Sequence, residues 1–188
     1  MCFVSLDMKQ ITLLALLFMA ATTGLTIDFG QDKAGDTWRI VNDGVMGGLS
    51  QSSATLTEDT VQFKGNVSLE NNGGFASMRT LITEGALKDC KTMTIRFKSS
   101  STDRTFGLSL KNSQQYYIPY YKHTFTPKTT DWEVLTVNLS NFKHYRISEV
   151  IGNEMPKKAL DDVFNIALII SDKKAGAFDI EIDYIKFE

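Results

Sequence analysis

Residues 92–98 read Thr92-Met93-Thr94-Ile95-Arg96-Phe97-Lys98, a strict alternation of polar and apolar side chains. In an extended chain, successive side chains point to opposite faces, so Met93, Ile95 and Phe97 are expected on one face of a strand. The same alternation recurs in residues 60–64, 105–111 and 178–183. These stretches predict strands that turn one face to a core and the other to solvent.

The alternation changes phase near the end of the chain. Phe178, Ile180 and Ile182 share one parity, whereas Ile185 and Phe187 have the opposite parity. A β-bulge near residues 183–184 would return the last two side chains to the core, because a bulge adds one residue to one strand. A strand that is covered on both faces is the alternative.

The remaining segments also indicate an all-β protein. Residues 163–170 are almost continuously apolar and β-branched, which predicts a central strand covered on both faces, and residues 132–139 predict another strand. Residues 141–160 form the one long irregular segment, with a helical turn expected around residues 147–151. About ten short strands separated by turn signals predict a jelly roll or other β-sandwich, a single domain over residues 25–188.

The beginning of the chain has the pattern of a secretory signal peptide. An apolar run over residues 11–21 follows Lys9 and ends in Thr22-Thr23-Gly24. We therefore predict that residues 1–24 are removed and that the protein is exported, either periplasmic or secreted. The run is too short to span a membrane, so stable membrane insertion after cleavage is not expected. A buried N-terminal strand or helix is the alternative.

Charge and cysteine content restrict the possible partners. The formal charge is −2, and removal of Asp7 and Lys9 with the leader leaves it unchanged. Nucleic acid is disfavoured as a partner, because phosphate neutralisation requires clustered Lys and Arg. Only Cys90 follows the leader, so no internal disulfide is expected and the core alone must hold the domain together.

The first glycine-rich motif, residues 42–50, has three glycines in five positions. Glycine permits positive φ and close backbone approach, so the loop's amides could cradle an anion or a sugar hydroxyl. The spacing is not that of a phosphate-binding P-loop or a dinucleotide fingerprint. A tight structural crossover is the alternative. The candidate binding residues here are Asn42, Asp43, Gly47, Gly48 and Ser50.

The second motif covers residues 71–79, where an Asn-Asn-Gly-Gly turn precedes an alternating segment. Alternation places Phe75, Ser77 and Arg79 on one strand face, where an arginine beside hydroxyl and amide groups can bind a carboxylate or sugar. The alternative is an arginine that ties two loops together. The candidate binding residues here are Asn72, Gly73, Phe75, Ser77 and Arg79.

Aromatic side chains form a further group, with a tyrosine-rich stretch at residues 116–121 and tryptophans at Trp38 and Trp132. Exposed tyrosines and tryptophans can stack on sugar rings or anchor a protein interface. Filling of the sandwich core is the alternative, and for each tryptophan it is the favoured one.

Signatures of catalysis are missing from the sequence. His123 and His144 lack metal-ligand spacing, Cys90 has no nucleophile signature around it, and there is no nucleophile elbow. We therefore predict that the protein is not an enzyme and uses no cofactor, and we assign no residue to a metal site. Residues 179, 181 and 183 are carboxylates on one strand face, for which a calcium site with Asp28 and a solvated polar face are the alternatives.

Taken in order, these motifs resemble the complex I intermediate-associated protein 30 family. The resemblance covers essentially the whole mature chain and is carried by Trp38 and by residues 42–50, 63–79, 125–126, 132–134, 172–178 and 182–185. It implies a galactose-binding-like jelly roll with a non-enzymatic binding or assembly role. One departure is residues 101–104, Ser-Thr-Asp-Arg, where many members have a Gly-Asp-Gly-Arg turn.

Two functions follow as hypotheses. The first is an exported domain that docks a protein partner, with the glycine-rich motifs near its functional surface. The second is a carbohydrate-binding module that takes a glycan, since the same sandwich serves both roles.

Overall fold

A computed structural model of the chain describes residues 24–30, 37–115 and 117–188. Residues 1–23 of the predicted leader and Tyr116 of the tyrosine-rich stretch lie outside the described residues, so the signal peptide stays a prediction. Within the described ranges, no helix has the length and apolar character needed to cross a membrane.

The described residues contain thirteen strands and several short 3-10 turns. The strands are β1 (Leu25–Asp28), β2 (Arg39–Asn42), β3 (Gln51–Leu56), β4 (Val61–Val67), β5 (Ala76–Leu81), β6 (Thr92–Ser99), β7 (Phe106–Lys111), β8 (Tyr120–Phe125), β9 (Glu133–Asn138), β10 (Lys143–Arg146), β11 (Glu149–Gly152), β12 (Asn165–Ile170) and β13 (Gly176–Phe187). They form two antiparallel sheets, which confirms the predicted all-β jelly-roll sandwich.

The six-stranded sheet has the order β3-β4-β13-β6-β9, with β1 also paired to β13. The pairing of β13 with β6 shifts register between Ile182 and Tyr184, so the predicted bulge is confirmed. Because of this shift, Ile182 and Ile185 are both fully buried although their parities differ.

The seven-stranded sheet has the order β11-β10-β8-β7-β12-β5-β2. Strand β12 lies inside it between β7 and β5, and residues of both parities are buried, including Leu168 and Ala167, so the predicted central strand is confirmed.

The expectation of an irregular segment with a helical turn around residues 147–151 is wrong. The chain forms the β10–β11 hairpin there, because β10 pairs with β8 and Ile147 turns the chain with a φ of 57°.

Apolar residues of both sheets meet in one core between them. Its centre is a group of phenylalanine rings, with centroids 4.9 Å apart for Phe63 and Phe178 and 4.8 Å apart for Phe97 and Phe125. Aromatic rings at such tilted geometries stabilise a core beyond the apolar area that they bury. The outer faces of the two sheets and the loops at the sheet ends are what remains for function.

Candidate functional site

The carboxylate of Asp43 joins the two glycine-rich motifs. Asp43 is 1% exposed, and its side chain accepts hydrogen bonds from the backbone N–H of Ser50 at 2.9 Å, of Gly74 at 2.6 Å and of Phe75 at 3.1 Å. The hydroxyl of Ser50 donates a further hydrogen bond to it. The first motif thus crosses from β2 to β3 while being tied to the turn before β5.

Glycines let the two loops approach this carboxylate. A Cβ at Gly48 would lie 2.4 Å from Asp43 Cγ, and a Cβ at Gly73 would lie 2.7 Å from Asp43 Oδ2. Neither distance is compatible with a side chain, so both glycines are required by close approach. The turn itself uses left-handed backbone at Asn71 and Asn72, with φ of 54° and 58°.

Asp43 remains ionised in this setting. Burial alone would raise the pKa of the carboxyl, but hydrogen bonds from Ser50, Gly74 and Phe75 outweigh it and hold the pKa below its ordinary value. A charged acceptor makes stronger hydrogen bonds than a neutral one, so the loop pair is held firmly at neutral pH.

The loops held in this way carry four large apolar side chains that are exposed. Val45, Met46, Leu49 and Leu69 are 73%, 70%, 52% and 46% exposed, respectively, and we call these four residues the glycine-loop tip. The two loops also meet where Asn71 Nδ2 donates to Gly47 O at 3.3 Å. Single exposed apolar side chains are common on protein surfaces, whereas these four are concentrated on the two loops that Asp43 joins.

The structure divides the predicted binding residues into two groups. Asp43 and Ser50 are buried and bonded to protein groups, and Asn42 Oδ1 accepts a hydrogen bond from Ser52 Oγ at 2.7 Å. These contacts favour the alternative of a structural crossover for their side chains. Whether the group binds a ligand stays a prediction. The loop group comprises Asn42, Asp43, Gly47, Gly48, Ser50, Asn72, Gly73 and Phe75.

Ser77 and Arg79 form the second group, on the outer face of the seven-stranded sheet. Arg79 Nε donates to Ser77 Oγ at 2.9 Å, and that hydroxyl donates to Val41 O at 2.6 Å. Arg79 is therefore anchored across β5 and β2, where it is partly buried, and burial lowers the pKa of its guanidinium.

Strand register brings further cations into line with Arg79. One row of paired positions crosses six strands from β10 to β2 and places small residues in its middle, and we call it the basic row. Its members, in order across the sheet, are Lys143, Lys122, Ser109, Ala167, Arg79 and Arg39. Sequence analysis missed the other cations, since only the pairing of distant strands brings them together.

Tyrosines lie beside this row on β8 and β10. The rings of Tyr120 and Tyr145 stack with centroids 5.9 Å apart, and the Tyr120 hydroxyl donates a hydrogen bond to Ile147 O at 2.9 Å.

The two tryptophans have different environments. Trp38 is buried, whereas Trp132 is 37% exposed and its ring centroid lies 4.4 Å from Arg96 Cζ. The prediction of a core position is therefore confirmed for Trp38 and wrong for Trp132.

The outer face of the six-stranded sheet is polar and internally paired. Asp179 accepts hydrogen bonds from Gln62, and Asp183 pairs with Arg96. Beside Asp179 lies an open groove of about 830 Å³, lined by Lys64, Asp103 and several serines. Among the described residues, no group of three or more His, Cys, Asp or Glu side chains is placed to hold a metal ion.

The two-sheet topology is that of galactose-binding-like jelly rolls. The chain belongs to the complex I intermediate-associated protein 30 family, whose model matches residues 27–182. This match confirms the family that the motifs indicated. Among curated proteins, none is a significant match to the chain.

Solved structures similar in fold to this chain include two carbohydrate-binding modules and an agarase. A family 11 carbohydrate-binding module from Clostridium thermocellum, in complex with a β-1,3-1,4-mixed-linked tetrasaccharide, has a TM-score of 0.65 at 14% identity, covering 87% of this chain and 94% of that one. A xylan-binding module has a TM-score of 0.51 at 14% identity, with the same coverages. An agarase has a TM-score of 0.58 at 11% identity, and the match covers 88% of this chain and 24% of the agarase. At these identities the likeness concerns the fold alone.

Proposed function

We propose that this chain is a non-enzymatic binding domain that docks a protein partner through the glycine-loop tip. The observation that carries the proposal is the exposure of Val45 and Met46, 73% and 70%, on loops that the buried Asp43 holds in place. Large apolar side chains that contribute little to the fold are available for contact with a partner.

The fixed conformation of the two loops favours binding of a partner. Association normally costs conformational entropy when loops and side chains become ordered, and that cost is smaller where the loop is already fixed. Methionine and valine at the tip would insert into an apolar pocket or groove of the partner, as anchor residues do at the centre of an interface. The partner surface that fits is therefore an apolar concavity on a protein.

The family name supports an assembly role, since it describes association with an intermediate of complex I. If residues 1–24 act as the predicted leader, the proposed partner lies outside the cytoplasm, in the periplasm or the medium. The assembly role that we propose is accordingly one of docking to an exported protein.

A binding role also fits the surroundings of the histidines. His144 stacks on Tyr121 with centroids 4.6 Å apart, and His123 packs against Phe142 at 5.7 Å. Burial lowers the pKa of both imidazoles, so they act as neutral packing groups at neutral pH.

The proposal is tested by quantitative affinity capture from extracts of the cells that produce the protein. We expect Met46→Asp to reduce recovery of a specific partner by at least tenfold, because a charge at an apolar anchor is desolvated without compensation. Val134→Asp, at an exposed site of the six-stranded sheet, is the matched control and should keep the partner.

Two further variants locate the interface if Met46→Asp has no effect. Val150→Asp changes an exposed apolar residue of the β10–β11 hairpin, and Arg79→Ala changes the outer face of the seven-stranded sheet. Loss of the partner with either of them, and retention with Met46→Asp, would place docking elsewhere and refute the role of the tip.

A further inference from the structure

Positive charge is concentrated in the seven-stranded sheet. Its strands contain six Lys and Arg residues and a single carboxylate, Glu149, although the formal charge of the whole chain is −2. The strands of the six-stranded sheet instead mix five carboxylates with four cations. The two sheets therefore present very different surfaces to a ligand.

The basic row gives this charge a linear arrangement. Neighbouring strands are about 4.8 Å apart, so a row that crosses six strands extends over about 24 Å. Its middle is low, because Ser109 and Ala167 are small and nearly inaccessible. Lys122 borders this floor, with its stem packed over Gly107, where a Cβ would lie 3.0 Å from Lys122 Cδ.

The cations beside the floor form no ion pair with a carboxylate in the part of the chain that the structure describes. Arg79, Lys111 and Lys122 take part in none of the three ion pairs found among the described residues. The two ammonium groups instead lie over aromatic rings, Lys122 at 4.3 Å from the centroid of Tyr145 and Lys111 at 5.4 Å from that of Tyr120. Burial lowers the pKa of all three cations, and proximity of Arg79 lowers that of Lys111 further.

Partly buried cations without counter-charges lose hydration and gain no ion pair in return. An anion laid along the row would supply the missing interactions, and its binding would be strengthened because the site is only partly solvated. The length of the row favours a chain of anionic groups over a single ion.

We propose that the outer face of the seven-stranded sheet binds an anionic polysaccharide, with carboxylate or sulfate groups placed over the basic row. The exposed hydroxyl of Thr124, two residues from Lys122 on β8, suits the hydroxyls of sugar rings. The site is separate from the glycine-loop tip and does not depend on the docking role.

Other elongated anions fit this face less well. Single-stranded nucleic acid is held by aromatic rings with open faces on which bases stack, whereas Tyr120 and Tyr145 stack on each other and contact lysines. An acidic peptide usually adds to a free strand edge, whereas strands β7 and β12 at the floor are paired on both sides.

The experiment is isothermal titration of the purified protein with polygalacturonate, dextran sulfate, a neutral mixed-linked β-glucan and oligothymidylate. We expect binding to polygalacturonate or dextran sulfate that weakens with added salt, and the preferred polymer identifies carboxylate or sulfate as the ligand group. The double variant Arg79→Gln/Lys122→Gln should lower the affinity by at least tenfold, because it removes two charge-assisted contacts.

Control variants distinguish binding at the basic row from non-specific attraction between charged groups. The variant Lys64→Gln/Lys157→Gln removes the same charge at exposed positions outside the seven-stranded sheet and should bind the polysaccharide normally. Lys122 is buried, so its substitution can also disturb folding. The double variant Arg39→Glu/Lys143→Glu changes only exposed residues at the ends of the row and should weaken polysaccharide binding as well. Absence of binding, equal affinity for the neutral glucan, binding of oligothymidylate alone, or equal losses in the control variant would each overturn the proposal.

Discussion

Replacement of Arg104 by alanine should lower the free energy of unfolding by about 3–5 kcal/mol, the usual cost of breaking a buried ion pair on one side. Arg104 and Asp172 have side chains that are 5% and 3% exposed. The guanidinium makes two parallel hydrogen bonds to the carboxylate, at 2.9 and 3.1 Å. It also donates to the carbonyl oxygens of Lys174, Gly176 and Ala177.

The Arg104→Ala variant leaves the Asp172 carboxylate buried without a counter-charge and leaves three carbonyl groups without this donor. Urea unfolding of the variant and the wild-type protein measures the loss. The matched control is Arg96→Ala, which removes a partly exposed pair with Asp183 and should cost less than about 1 kcal/mol. Equal losses in the two variants would show that burial does not set the energy of the Arg104 pair.

The second large effect is expected at Asp43, where Asp43→Ala should cost roughly 3 kcal/mol or more. The substitution removes a charged acceptor and leaves the buried N–H group of Ser50 and the partly buried N–H groups of Gly74 and Phe75 without it, at about 1–3 kcal/mol for a fully buried group before non-additivity. Thermal and urea unfolding measure the loss, and a cost below about 1 kcal/mol would contradict the role of Asp43 as the link between the loops.

Two glycines provide a matched pair for the same claim. Gly48→Ala should displace the Asp43 carboxylate and destabilise the protein, because the added Cβ would lie 2.4 Å from Asp43 Cγ. Gly44→Ala adds the same methyl group where no atom lies within 4 Å, so it should have little effect.

The contribution of Asp43 also depends on pH. Its folded pKa lies below that of the unfolded chain, which is about 3.9, so the ionised carboxylate stabilises the protein fully above that value. As the pH falls through the lower folded pKa, the contribution is lost. The stability difference between wild type and Asp43→Asn should therefore be constant near neutral pH and shrink below about pH 4.

Local patterns were sufficient to predict most of the fold. Alternation identified the face formed by Met93, Ile95 and Phe97, all of which are buried, and the phase change after Ile182 identified the bulge. The β10–β11 hairpin was missed because its strands have four residues each, too few for a period to be recognised.

The candidate site was harder to predict, for two physical reasons. A glycine-rich motif signals close approach, but the pattern does not distinguish an internal partner such as Asp43 from an external ligand. The basic row depends on the register that pairs Lys122 with Ser109 and Arg79 with Ala167, and no local pattern encodes the pairing of such distant segments.

The most direct test of the account is site-specific photo-crosslinking in the cells that produce the protein, with the photoreactive residue in place of Met46 or, as a control, Val134. The proposed docking role predicts a specific protein adduct from position 46 and none from position 134, although both sites are exposed. Adducts from position 134 alone, or equal adducts from both positions, would contradict the glycine-loop tip as the docking surface.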